Sequence, residues 1–279
     1  MLLFKTQTSA VVHHNGSWYS TNKPWNELVN DEQLHDTLAT LITSEAAEFT
    51  PVLVDGIPEG TLAPIADQEI WAAGVTYFRS KTARMEESQD AGGGDFYDRV
   101  YDAVRPELFM KATAQRTVGP GDVMHRRSDS KWIVPEPELT LVITRSGKII
   151  GYTVGNDLSC RDIEGENPLY LPQAKSFDRC ASIGPAILVS KEPPAKDAQI
   201  KMKITRGGEA VFEDQTEIAQ IKRGFEELVE FLFRDNTYPS GCLLMTGTGV
   251  IPPDEFSLET GDVVESEIDG IGKLINSMD

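Results

Sequence analysis

The sequence predicts a β-rich α+β fold, and three features carry that expectation. Glu138–Asn156 (ELTLVITRSGKIIGYTVGN) reads as two strand-like runs around Ser146-Gly147-Lys148, and Gln199–Thr216 repeats the device around Gly207-Gly208. Two stretches, Asp31–Thr43 and Ile218–Phe233, carry an apolar stripe at helical spacing. Near its end the chain has a strand-like run with Val263, Glu265, Glu267 and Asp269 at alternate positions.

In chain order, residues 1–65 read as a small N-terminal α/β domain. Strand-like LLFK and AVVHH precede a helix in which Leu34, Leu38, Leu41 and Ile42 recur at helical spacing, with Asp31 placed to cap it. The following PVLVDGIPEGTLAPI has three prolines and two glycines, the composition of an ordered connector, which puts a boundary near residue 65. Residues 66–279 then form a second, larger domain of strands and loops. In it, Ile218, Ile221, Phe225, Leu228 and Leu232 line one side of a surface helix lying on a sheet, leaving Glu226, Glu227 and Glu230 for water. GCLLMTGTGV reads as a buried strand followed by a Gly-Thr loop. No internal repeat or low-complexity tract interrupts the chain.

A length of 279 residues with 40% hydrophobic and 25% charged content suits a folded globular body. The net charge of −18 argues against a nucleic-acid partner, whose phosphates demand basic side chains. Arg79–Lys131 is the exception, with ten Lys/Arg against nine Asp/Glu, and suits a small anion. Three widely spaced cysteines (Cys160, Cys180 and Cys242) without a CxxC pattern fit free thiols in a reducing compartment. The N-terminal apolar stretch is too short for a signal peptide and no window approaches a membrane span, so a cytoplasmic protein without a membrane partner is expected.

The chemistry centres on three carboxylates. Glu136 and Glu138 stand two apart where a Pro-broken loop enters a strand, so strand geometry aims both to one side. Asp157 lies nineteen residues after Glu138, at the end of the return strand, and a tight hairpin brings all three to one mouth. An isolated ExE is more often a solvated strand edge. Held together, however, such like charges need a cation or a shared proton. Three carboxylates with no His or Cys nearby make a hard site for Mg²⁺, with Mn²⁺ or Ca²⁺ as substitutes.

WAAGVTYFRS, PEPELTLVI, GYTVGNDLSCRD, AKSFDRCASIGP, MTGTGV and TGDVVESEIDGIGKLIN follow, in this order, the signature of the fumarylacetoacetate hydrolase superfamily, which the chain resembles over roughly residues 68–277. Within it, GVTYFRSKTARMEES and the following RPELFMK are most similar to the members that dehydrate 2-keto-3-deoxy sugar acids. The resemblance implies a mixed-β-roll catalytic domain, a homodimer or homotetramer, and Mg²⁺ at Glu136, Glu138 and Asp157. It adds Lys175, Thr248 and Arg79 as active-site groups. In the hydrolytic members, a His in the segment after the Tyr of the first motif helps activate water. Here Arg79, Ser80 and Lys81 follow and none of the four His lies in that segment, which favours elimination over hydrolysis.

Each further residue has an ordinary reading beside the functional one. Lys175 next to a divalent cation suits a general base, whereas a lone lysine is usually solvent-facing. Thr248, between Gly247 and Gly249, could hold a substrate oxygen or merely mark a tight turn. Arg79, with Ser80 beside it, could fork onto the substrate carboxylate or be a surface cation. Glu107 is a second acid/base candidate or a salt-bridge partner of Lys111 four residues on. Asp178 could orient Lys175 or shape a turn. Residues 79–95 have the composition of a lid or of a plain loop, and His125 reads as structural.

The expected activity is therefore dehydration of a small anionic 2-oxo acid, a 2-keto-3-deoxy sugar acid, with Lys175 removing the C3 proton. The enzyme alternative is hydrolytic C–C cleavage of a 2,4-diketo acid; the alternative of another class is a non-catalytic metal-binding domain.

Overall fold

The computed structural model describes residues 1–44, 48–78 and 99–279. Strands β1 (Leu2–Thr6), β2 (Ala10–His14) and β3 (Ser17–Thr21) pair antiparallel ahead of helix α1 (Leu34–Ser44). Asp31 starts that helix by accepting from the Gln33 amide at 2.8 Å and the Thr37 hydroxyl at 2.5 Å. Leu34 and Leu38 join Leu3 and Val12 in the core.

Strands β4 (Glu69–Gly74), β5 (Glu107–Thr113), β6 (Pro137–Ile143) and β7 (Ile149–Asp157) follow. Two short helices, α2 (Arg161–Glu166) and α3 (Leu171–Lys175), precede β8 (Ala181–Leu188). The hairpin of β9 (Gln199–Arg206) and β10 (Glu209–Glu217), helix α4 (Phe225–Phe233) and strands β11 (Cys242–Met245), β12 (Val263–Ile268) and β13 (Gly272–Met278) complete the chain.

A twelve-stranded sheet runs from Glu48–Phe49 through β3, β2, β1, β8, β7, β6, β11 and β4 to β5, with Thr61–Leu62 beside β1 and Thr117–Val118 beside β8. Because β11 lies parallel to β4 while most other neighbours are antiparallel, the sheet is mixed. The ladder between β1 and β8 carries it across the boundary expected near residue 65. A five-stranded sheet, Val123–Met124, β13, β12, β9 and β10, packs against β6, β7 and β8.

Both expected hairpins are present. At the β9–β10 turn Gly207 and Gly208 have φ of +59° and +90°, the left-handed conformation that a two-residue turn requires. Strand β6 is buried on both faces, its apolar residues and also Glu138 and Thr140. Leu139, Leu141 and Ile143 share a core with Ile200, Ile268 and Leu274 of the second sheet and with Leu228 and Leu232 of α4. Val142 lies in the other core with Ile70, Leu243 and Met245.

The second expected helix is shorter than its apolar stripe. Ile218–Gln220 is a 3₁₀ turn, and the α-helix begins only at Phe225. The linking residues bond elsewhere: the Lys222 amide donates to the Thr76 carbonyl at 3.0 Å, and the Arg223 guanidinium to the carbonyls of Val100 and Ala103 at 3.1 and 2.5 Å.

Among the described residues, no helix is long and apolar enough to cross a membrane. Leu139→Ala should cost about 2–5 kcal/mol, because it opens a cavity between the sheets; a lowered urea midpoint with an unchanged slope checks this.

Candidate metal and active site

The register of one hairpin assembles the acidic cluster. Pro137 pairs with Asn156 and Glu138 with Gly155, so Glu136, just ahead of β6, meets Asp157 at the end of β7. The Asp157 amide donates to the Glu136 carbonyl at 2.9 Å, and the Glu136 amide to Asn156 Oδ1 at 3.0 Å. Gly155 has no room for a side chain, since a Cβ would lie 2.4 Å from Thr140 Oγ1. One carboxylate oxygen from each of Glu136, Glu138 and Asp157 lies within 4.8 Å of the others, and all three residues are buried.

Burial removes water from three like charges, which is costly unless cations replace it. Lys175, at the C-terminal end of α3, donates to Glu136 Oε2 at 2.8 Å and Ser159 Oγ at 2.5 Å, and stands 3.2 Å from Asp157 Oδ2. Arg161, opening α2, donates to Glu136 Oε1 at 2.5 Å. Lys111 of β5 stands 2.6 Å from Asp157 Oδ1. Glu138 accepts from the Gly247 amide at 2.5 Å. Its carboxyl is pushed well above the usual carboxylate range, first by burial and then by the charges of Asp157 and Glu136.

The cleft is lined by these three carboxylates with Lys175, Arg161, Thr248, Gly247, Phe109 and the β4 end, Ala73–Val75. Three buried carboxylate oxygens converging without a His or Cys ligand fit a hard divalent cation.

The structure thus brings together Glu136, Glu138, Asp157, Lys175 and Thr248. The Thr248 hydroxyl bonds back to Val250 at 3.2 Å, and the neighbouring Gly247 amide is committed to Glu138. Glu107 lies beside the cleft, its Oε2 where a Cβ on Gly74 would come within 1.9 Å, and that oxygen has no hydrogen-bond partner among the described residues. It does not pair with Lys111. Four residues along a strand span roughly 13 Å, so the helical spacing behind that reading does not apply in β5.

Asp178 is exposed in the turn after α3 and does not join the cluster. Arg79, Ser80 and the segment read as a lid lie outside the described residues. His125 stands 2.8 Å from Asp279 at the surface, and the three cysteines are free and buried, with burial pushing the Cys160 thiol up to about 11.

The sequence reading missed Lys111, Arg161 and Ser159 as members of the cluster. Arg161 and Ser159 close a run, Tyr152–Arg161, that is buried throughout although it holds five polar residues. Lys111 had only its place in a strand to mark it.

The chain resembles known proteins over most of its length. Residues 70–279 match the family described as Fumarylacetoacetate (FAA) hydrolase C-terminal. A probable 2-keto-3-deoxyxylonate dehydratase of Haloferax volcanii is 48% identical over 87% of this chain and 82% of its own length. The 2-dehydro-3-deoxy-D-arabinonate dehydratase of Saccharolobus solfataricus is 44% identical over 76% of this chain and 72% of its own. A solved structure of 2-keto-3-deoxy-D-arabinonate dehydratase complexed with magnesium and 2,5-dioxopentanoate superposes with a TM-score of 0.81 at 33% identity, covering 99% of this chain and 97% of that one.

The raised Glu138 pKa has a signed consequence. In the metal-free fold Glu138 holds its proton more tightly than in the unfolded chain, so its contribution favours folding at low pH and fades as pH rises above the ordinary 4.5. Cation binding needs the ionised form. Mg²⁺ affinity should therefore rise with pH above the ordinary carboxylate range, with release of up to about one proton per ion, as calorimetry in buffers of different ionisation enthalpy would register. Glu138→Gln should abolish Mg²⁺ binding while the metal-free variant melts no lower than the native protein.

Proposed function

Because the chain belongs to the fumarylacetoacetate hydrolase family, we propose that it is a hydro-lyase that dehydrates a 2-keto-3-deoxy sugar acid, such as 2-keto-3-deoxy-D-arabinonate, to a 2,5-dioxo acid with Mg²⁺ as cofactor. The observation that carries this reading is the buried lysine, Lys175, ion-paired to two members of a carboxylate triad suited to a divalent cation. Relatives at 48% and 44% identity with dehydratase names support the reaction class.

Glu136, Glu138 and Asp157 would hold the cation, which polarises the C2 carbonyl and so acidifies the C3 proton. Lys175 is the base placed to take that proton. Glu107, placed over Gly74, protonates the departing C4 hydroxyl. Loss of one water from a 2-keto-3-deoxypentonate, followed by tautomerisation toward C5, gives the 2,5-dioxo acid. Arg161 and Thr248 line the cleft and orient the carboxylate end, joined in this reading by Arg79 and Ser80.

Purified protein with Mg²⁺ should convert 2-keto-3-deoxypentonate to the dioxo acid, stop with EDTA and recover on Mg²⁺ addition. Pyruvate release from an acylpyruvate, without any dehydration of the sugar acid, would overturn the reading. Lys175→Met should lower kcat by about 10²–10⁴-fold. Gly74→Ala should displace the Glu107 carboxylate and cut turnover tenfold or more with little change in Tm, as parallel kinetics and thermal melts would show.

A further inference from the structure

Two fully buried lysines bracket a single carboxylate, Asp157. Lys175 stands 3.2 Å from its Oδ2 and Lys111 2.6 Å from its Oδ1. The two are not equivalent. Lys175 lines the cleft, and its other partners, Glu136 Oε2 and Ser159 Oγ, are side-chain groups. Lys111 is not among the side chains lining the cleft. Besides its ion pair with Asp157 it donates to the backbone carbonyls of Leu158, at 2.9 Å, and of Lys175. Two of its three ammonium protons thus go to carbonyls, and its charge faces Asp157 Oδ1 as an ion pair. The Phe177 ring lies 5.7 Å from that ammonium.

We propose that Lys111 is the positioning residue of the site: it reserves Asp157 Oδ1, leaving Oδ2 for the cation, and anchors the end of α3 so that Lys175 keeps its place beside Asp157. This rests on the reading of Asp157 as a metal ligand and of Lys175 as the base. The two contacts of Asp157 differ in what can give way. Lys175 reaches Oδ2 from within the cleft across the longer distance, and its side chain can swing without disturbing the backbone. Lys111 is tied to two carbonyls and to Oδ1, and cannot leave without breaking all three contacts. When a cation takes Oδ2, Lys175 is the lysine that moves, and its carbonyl stays pinned to Lys111. A metal ligand and a base that reach the cleft from different elements, β7 and α3, are thereby joined through a third, β5.

This division of labour predicts a split that a general packing role would not produce. Lys111→Met keeps most of the buried stem but removes the charge and the three donors. Removing a positive charge beside a metal ligand relieves repulsion of the incoming dication, so Mg²⁺ affinity should hold or tighten. The end of α3 loses its anchor, so kcat should fall tenfold or more with KM changing less than threefold. Lys111→Gln, which can still donate to a carbonyl, should lie between Lys111→Met and the native protein in kcat.

The experiment is Mg²⁺ titration calorimetry, steady-state kinetics on 2-keto-3-deoxypentonate and thermal melts on the native protein and both variants. Retained Mg²⁺ affinity with lowered kcat supports the proposal. Affinity and kcat falling together with Tm overturns it, as does a kcat within twofold of native. If Lys111→Met does not fold, Lys111→Gln decides on the same readouts, and failure of both to fold overturns the proposal by making Lys111 a requirement of the fold. Absence of Mg²⁺ binding by the native protein sinks the metal reading and this inference with it. Mg²⁺ binding without any turnover of the sugar acid sinks the dehydratase reading instead, and the kcat split expected of the variants with it.

Discussion

The burial of three carboxylates at one point is the constraint on which this structure turns. Unscreened by water, Glu136, Glu138 and Asp157 repel one another, and each loses hydration that a protein interior must replace. The surrounding elements answer that problem. Strand β5 brings Lys111, α3 brings Lys175, the start of α2 brings Arg161, and the Gly247 amide is turned onto Glu138. These contacts compensate without neutralising the cluster's appetite for a cation, since Glu138 meets a backbone amide and, among the described residues, has no cationic partner in contact.

The sheets make that arrangement rigid. Strand β6 is buried on both faces, so its register with β7 cannot slip without turning Leu139, Leu141 and Ile143 out of their core. The same register fixes Glu136 opposite Asp157. Close packing then narrows the choice of side chain around the site. Gly247, with φ of +90°, lies where a Cβ would come within 2.0 Å of Thr76 Oγ1, and Gly74 leaves the space that Glu107 Oε2 occupies. A fold of this kind holds the three carboxylates on strand ends and Lys175 on a short helix end, which suits chemistry that needs fixed separations.

Much of this was legible in the sequence because it is local. Hairpin spacing alone placed Asp157 beside Glu136, strand-like runs around glycine turns identified β6, β7, β9 and β10, and alternation identified β12. Lys175 was different: an isolated lysine in a polar loop carries no spacing signal, and the ordered family motifs singled it out. The partners of Asp157 were not legible. Lys111 reaches it across 46 residues of chain through the pairing of β5 with β4 and of β4 with β11, which no local pattern encodes. The early start expected for α4 failed for a related reason, because Thr76 and the carbonyls of residues 100 and 103 claim the residues that would have extended it.

The central claim is that one cation sits among Glu136, Glu138 and Asp157 with Lys175 beside the substrate's C3. A crystal structure of the protein soaked with Mg²⁺ and pyruvate tests it most directly. The account predicts one ion bound by an oxygen from each of the three carboxylates, at about 2.0–2.1 Å, with Lys175 withdrawn from Asp157 and facing the methyl carbon of the pyruvate. An ion bound elsewhere, or Lys175 still paired to Glu136 and Asp157 beside an ordered pyruvate, would contradict it.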